Sequence, residues 1–207
     1  MIDFRAEDRA QLQQHARDAG FDSMPDACAR FAELVSQWGK KTDLVKAASV
    51  DELIDVLFTD AWQLARLIGS GGGLIDVGAG AGAPTIPLVL MRPDLNAVLL
   101  EPRRRRVAFM RTAVGALGLR ERVDVVEGRI EDWRGEHDLA VSRATFAPDE
   151  WLERASALAP RVVVLLAGGE APEREGWEVE AEATYQTLAG APRRARVYRL
   201  LGSAGAC

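Results

Sequence analysis

The stretch Leu74-Ile75-Asp76-Val77-Gly78-Ala79-Gly80-Ala81-Gly82-Ala83-Pro84-Thr85-Ile86-Pro87-Leu88 governs how this chain can fold. An apolar run ends in an acid, Asp76. Glycines then alternate at Gly78, Gly80 and Gly82, and an apolar segment of helical character follows. A strand that bends sharply toward a helix, with its backbone close to a ligand, needs residues without a β-carbon at such positions. The spacing is G-x-G-x-G, whereas dinucleotide-binding loops carry G-x-G-x-x-G, whose third glycine packs a phosphate-binding helix onto the strand. Pro84 and Pro87 make the first turn of the following helix a poor source of N–H groups for a pyrophosphate. A ligand without phosphate, laid across the loop, suits the stretch better. A glycine-rich turn in some other α/β protein has the same pattern.

Residues 97–101, Ala-Val-Leu-Leu-Glu, read as a buried strand ending in an acid. It lies roughly twenty residues beyond the loop, where a doubly wound sheet places a carboxylate that accepts hydrogen bonds from ribose hydroxyls. Glu101 therefore fits an adenosyl ligand of any kind; alternatively it caps the helix that begins near Arg103. The run D-x-G-x-G-x-G behind a strand resembles the first motif of S-adenosylmethionine-dependent methyltransferases, which implies S-adenosyl-L-methionine as the cofactor.

With 207 residues and an apolar fraction of 48%, the chain can bury a full α/β core. No apolar run approaches the ~18 residues of a membrane span. The segment Met1-Ile2-Asp3-Phe4-Arg5-Ala6-Glu7-Asp8 is acidic and lacks the apolar core of a signal peptide. No membrane partner, a cytoplasmic location and a monomer are the expectations. Cys28 in an expected helix and Cys207 at the last position give no disulfide framework. His15 and His137, the only histidines, stand apart from any acid cluster, so neither a metal site nor a histidine-based triad is expected.

A net charge of −5 argues against a uniformly positive surface, but a local patch is enough to hold nucleic acid. One candidate is Arg103-Arg104-Arg105-Arg106, with Arg111 further along the same expected helix; Arg193, Arg194, Arg196 and Arg199 form another. Each is also readable as an ordinary solvated face. Residues 170–182 are strongly acidic and read as a solvent-facing connection running into a strand.

Residues 4–20, 25–38 and 50–68 carry helical spacing, with Phe31, Leu34, Val35 and Trp38 on one face. Ser49 followed by Glu52 resembles a capping box. Strands are expected at 74–78, 97–101, 123–127, 138–142 and 161–166, with helices between them, which implies a parallel sheet. Residues 177–187 and 194–201 read as a closing hairpin turning at Gly190-Ala191-Pro192. The expected fold class is α/β, a seven-stranded Rossmann-like class I methyltransferase sheet with an N-terminal helical extension. The division is 1–70 for the helical section and 71–207 for the methyltransferase domain.

Beyond the loop and Glu101, further pieces stand out: Arg92-Pro93, Arg105-Arg106, Phe109-Met110, Gly128-Arg129-Ile130-Glu131, and Ser142-Arg143-Ala144 after Asp138-Leu139-Ala140-Val141. On them the chain, from about Trp38 to Tyr198, resembles the RsmG (GidB) family, bacterial methyltransferases acting on guanine nitrogen-7 of small-subunit ribosomal RNA. The resemblance implies cofactor contacts at Gly78, Ala83, Ile130, Glu131 and Arg143, which join Gly80, Gly82 and Glu101 as the candidate cofactor set. Ile130 would cover the adenine, Glu131 meet its amine, and Arg143 pair with the cofactor carboxylate. On their own residues, Ile130 reads equally as core, Glu131 as a helix N-terminal acid and Arg143 as a surface arginine. The nucleophile, a ring nitrogen with a free lone pair, needs no general base, so no catalytic acid or base is expected. Ser142 would at most orient a substrate edge.

The implied partner is ribosomal RNA or the small ribosomal subunit. The chain departs from the family pattern in Trp38-Gly39-Lys40-Lys41-Thr42-Asp43-Leu44-Val45, in Val56-Leu57 where the family has a basic pair, and in Ala167-Gly168. In that second segment Asp60 is kept. These departures leave open a divergent relative that methylates another RNA or a small molecule, and an inactive RNA-binding module with the same fold.

Overall fold

The computed structural model describes residues 3–39 and 42–202. Met1, Ile2, Lys40, Lys41 and residues 203–207, Cys207 among them, lie outside the described residues. The strands are β1 (Gly72–Val77), β2 (Leu95–Glu101), β3 (Val123–Glu127), β4 (Leu139–Ser142), β5 (Arg161–Leu166), β6 (Trp177–Gln186) and β7 (Pro192–Leu200). They form one sheet in the order β3-β2-β1-β4-β5-β7-β6. The first five strands run parallel, with Asp76 in register with Leu99 on one side and Val141 on the other. β7 is antiparallel to both neighbours and lies between β5 and β6.

The helices are α1 (Arg9–Asp18), α2 (Asp26–Gly39), α3 (Val50–Ile54), α4 (Asp60–Leu67), α5 (Thr85–Met91), α6 (Arg104–Ala116) and α7 (Pro148–Ala155). The period of two along each strand divides the core. Leu74, Leu139, Val141 and Val163 face a cluster built with α1, α2, α4, α5 and α6, while Ile75, Ala140, Val162 and Val164 face Trp151 and Leu152 of α7. The N-terminal helical section thus shares one apolar cluster with the sheet.

The helix expected over 50–68 contains a π turn, Asp55–Thr59, between α3 and α4. A π turn accommodates one extra residue in an otherwise regular helix and shifts its carbonyls off the usual line. Ser49 caps α3 by accepting from the Glu52 amide at 3.1 Å. The Glu52 carboxylate, however, accepts from Ala48 at 2.7 Å, one residue before the capping-box position. Residues 4–8 precede α1 as irregular backbone, extended at Arg5, and a single 3-10 turn, Ala6–Asp8.

Cys28 is fully buried and its thiol is pushed up to about 12 by desolvation, which makes it inert. Among the described residues no helix is long and apolar enough to cross a membrane. Among the same residues no group of three or more metal-ligating side chains occurs.

Candidate functional site

Strand order reverses between β1 and β4, and a crevice opens there at the carboxyl ends of the strands. The loop after β1 is tied across β2: the Gly78 and Ala79 amides donate to the Leu100 carbonyl at 2.8 and 3.2 Å. Glu101, 2% exposed at the end of β2, accepts from the Gly80 amide at 2.9 Å and the Arg103 amide at 3.0 Å. It thus anchors the loop and the entry to α6 together, and each of its oxygens keeps a further lone pair.

The three loop glycines do different things. Gly78 has φ +75°, and a β-carbon there would lie 2.3 Å from Thr145 Oγ1, so no other residue fits. At Gly80 a β-carbon would meet nothing nearer than 3.6 Å, leaving backbone open to the crevice. A β-carbon on Gly82 would strike Ile86 Cδ1 at 2.4 Å; this glycine packs the loop against α5 and does not line the crevice. The crevice has a volume of about 520 Å³ and is lined by Gly78, Gly80, Ala83, Glu101, Arg103, Arg143 and neighbouring residues.

The helix that follows is poor in free donors. The Ile86 amide is spent on Gly82 O and that of Leu88 on Pro84 O, while Pro87 has none. The Thr85 hydroxyl donates to Asp76 Oδ2 at 2.7 Å beneath the loop. Asp76 is 1% exposed, and burial pushes its carboxyl up to about 7 against the pull of the Thr85 bond and Arg143, with Glu101 adding to the rise.

Arg143 follows β4 on a strained turn, since Ala144 takes φ 56°, an uncommon value for a residue with a β-carbon. Its Nη1 donates to the Val56 carbonyl of the π turn at 2.7 Å and to Asp60 Oδ2 at 3.1 Å. The other oxygen of Asp60 accepts from the Tyr185 hydroxyl of β6 at 2.6 Å. Asp55 in the π turn accepts from Thr59 at 2.7 Å and from the Leu188 amide at 3.2 Å, a second tie to the β6–β7 hairpin. Arg143 is therefore a fixed wall rather than a free surface arginine. It also borders a second cleft of about 480 Å³, reaching Phe146, Ala167, Gly168 and Arg193.

Two expected contacts are placed elsewhere. Ile130 packs with Trp133 against the α7-side core, and Glu131 is exposed and pairs with Arg154 at 2.9 Å. Neither lines the crevice, because the 3-10 turn Ile130–Asp132 directs them toward α7. Ser142 is buried and donates to the Val77 carbonyl at 2.8 Å, joining β4 to β1.

The basic groups also separate. Arg196 and Arg199 face Glu182 and Glu178 across the β6–β7 ladder and pair with them. Glu178 and Glu182 of the acidic run are thus paired with C-terminal arginines, while Glu180 pairs with Arg161. Arg103, which lines the crevice, and its neighbours Arg104 and Arg105 are exposed, and among the described residues their side chains have no acidic partner.

Sequence reasoning missed Asp60 and Tyr185 as a pair, together with Thr145 and the Val56 carbonyl. The signal present was an acid, Asp60, set among the apolar residues of the expected 50–68 helix, and an aromatic on the inward register Ala181, Ala183, Tyr185.

The family model described as "GidB: rRNA small subunit methyltransferase G" matches residues 25–192. The "Ribosomal RNA small subunit methyltransferase G" of Mycobacterium marinum is 36% identical over 165 residues, which are 76% of this chain and 72% of that protein. Its namesake in Mycolicibacterium paratuberculosis is 44% identical over 126 residues, 58% of this chain and 50% of that protein. In Kineococcus radiotolerans the figure is 41% over 124 residues, 60% of this chain and 49% of that protein. The chain spans about half the length of several such relatives.

Among solved structures, the Bacillus subtilis M1A22 tRNA methyltransferase TrmK superposes with a TM-score of 0.56 at 17% identity, covering 69% of this chain and 65% of that one. M. jannaschii TYW2 in complex with AdoMet gives a TM-score of 0.52 at 14% identity, covering 69% and 75%. Both are likenesses of fold.

Proposed function

The chain belongs to the GidB family of small-subunit rRNA methyltransferases, and from that premise we propose that it transfers a methyl group from S-adenosylmethionine to guanine nitrogen-7 of small-subunit ribosomal RNA. The observation that carries the reading is the crevice itself. A buried carboxylate, Glu101, stands at one end, a fixed guanidinium, Arg143, on another wall, and open backbone at Gly80 between them. That donor and acceptor set is complementary to a ligand with ribose hydroxyls and an amino-acid carboxylate. The absence of a free N–H row at α5 disfavours a diphosphate.

The bound cofactor supplies an electrophilic methyl on a sulfonium centre. Everything else falls to placement. Glu101 accepts the ribose hydroxyls, and the loop backbone at Gly78 and Gly80 lets the ligand lie close. Arg143 holds the carboxylate, and Ala83 leaves room at the far end. Gly82 acts behind the loop, while Ile130 packs against the α7-side core and Glu131 pairs with Arg154. The nucleophile needs no proton removed, so the rate comes from holding it about 3–3.5 Å from the methyl carbon, in line and away from water. The exposed arginines 103–105 hold phosphates of the RNA at the mouth.

The test is methyl transfer from labelled cofactor to small ribosomal subunits isolated from a strain lacking this enzyme, with the modified position mapped. Label in a guanine of the small-subunit RNA is the expected result. Tight cofactor binding without label in subunits or naked ribosomal RNA would replace the substrate by another RNA or a small molecule. Tight binding with no turnover on any acceptor would leave an RNA-binding module.

A further inference from the structure

Arg143 carries the crevice wall, yet its position is not set by the strand it follows. Nη1 is consumed by the Val56 carbonyl at 2.7 Å and Asp60 Oδ2 at 3.1 Å, contacts that reach 87 and 83 residues along the chain. Among the described residues Nη2 and Nε of Arg143 donate to no acceptor, so one edge of the planar guanidinium is held and the other is left for the crevice. Asp60 in turn is not free to move: its side chain is 13% exposed and its second oxygen is bonded to Tyr185 at 2.6 Å. Burial, reinforced by the Asp60 carboxylate, raises the Tyr185 phenol above its ordinary value, so the hydroxyl stays a donor throughout the physiological range.

We propose that Asp60 and Tyr185 are positioning residues for Arg143, fixing the guanidinium so that its free edge meets the carboxylate of the cofactor's amino-acid moiety. The inference rests on the cofactor reading above. An unpaired arginine side chain samples many rotamers and loses that freedom on binding; one already clamped along one edge loses little. The clamp has a cost of its own, since Asp60 competes with the ligand for the same cation. Tyr185 offsets this by donating to Asp60 and drawing off part of its charge, so that more of the guanidinium's field is left for the crevice. The π turn completes the arrangement by presenting the Val56 carbonyl beside Asp60 on one helix face.

The role is separable from a merely structural one because it concerns only one end of the ligand. Calorimetry with S-adenosylhomocysteine, which has the amino-acid moiety, and with 5′-methylthioadenosine, which lacks it, reads the difference. The wild type is expected to bind the first more tightly. Asp60→Asn should lower affinity for S-adenosylhomocysteine by about tenfold, the scale of one charge-assisted hydrogen bond, with 5′-methylthioadenosine unaffected. Tyr185→Phe keeps the ring and its packing, and should give a smaller selective loss of the same sign even if Asp60→Asn does not fold. Equal losses for both ligands, or an unchanged ratio in folded Tyr185→Phe protein, would overturn the positioning role while leaving the cofactor reading intact. A wild type that binds neither ligand would overturn both.

Discussion

At the scale of single residues, Asp76 acts buried beneath the glycine loop and Arg143 in the crevice wall. Asp76 is held near 7 by burial, above the ordinary carboxyl value of 3.8, so the folded protein keeps a proton that the unfolded chain releases in that window. Its contribution therefore favours folding below about pH 4 and is lost as pH rises through about 7. Asp76→Asn should accordingly gain melting temperature relative to wild type as pH rises from about 4 to about 8, measured by parallel thermal melts. Arg143→Ala should weaken S-adenosylmethionine binding by about 1.5–3 kcal/mol. It should also lower the ligand-free melting temperature, because Asp60 would lose its cation. Calorimetry and melts on one preparation check both. The sequence marked Arg143 as important, but its partners lie 83 and 87 residues away, and no local spacing reports such contacts. Glu101 was legible because a strand end is a local feature, and its carboxylate caps the entry to α6 through the Arg103 amide while also holding the Gly80 amide.

Elements reveal a second contrast, between basic residues that are spent and basic residues that are available. At the start of α6, whose first turn begins at Arg104, no acid among the described residues neutralises the exposed arginines, whereas β7 places Arg196 and Arg199 against β6 glutamates. Replacing Arg103, Arg104 and Arg105 by alanine should reduce the slope of RNA affinity against salt by about one unit for each phosphate no longer neutralised. Replacing Arg196 and Arg199 should leave that slope unchanged; the exposed Arg199 pair should cost about 0.2–1 kcal/mol of stability, and Arg196, half-buried against Tyr198, more than that. Filter binding over a salt series, with melts alongside, distinguishes the two sets. Helices and strands were largely legible from periodicity, since buried parallel strands are continuous apolar runs bounded by glycine. The π turn was not, because Asp55–Thr59 adds a single residue to a helix whose apolar pattern runs on unbroken through Phe58 and Trp62.

For the molecule as a whole, the helices before β1 and the sheet close over one another. Leu57, Phe58, Ala61 and Trp62 are almost wholly buried in the same cluster as Leu74, Leu139 and Val163. Removing residues up to 70 would expose that sheet face, and core truncations of even one large side chain cost about 3–5 kcal/mol. The full chain should therefore melt in one cooperative transition, and a fragment of residues 71–207 should give none; circular dichroism on both decides it. Composition was enough to foresee a core of this size. It could not foresee that the helical section would share it, because apolar residues of separate clusters and of one cluster look alike in sequence.

The place of β7 between β5 and β6 has a bearing on how a nascent chain acquires its ligand site. β6 hydrogen-bonds to β7 alone within the sheet, and the turn closed by Thr187 with Gly190 and Ala191 makes their pairing local. In vectorial synthesis the β1–β5 layer emerges first, with the outer edge of β5 bare until the hairpin docks through β7. That docking also delivers Tyr185 to Asp60 and Leu188 to Asp55. The glycine loop and the Val56 and Asp60 bonds to Arg143 can thus form early, while the Tyr185 brace on Asp60 waits for the hairpin that covers the bare edge of β5.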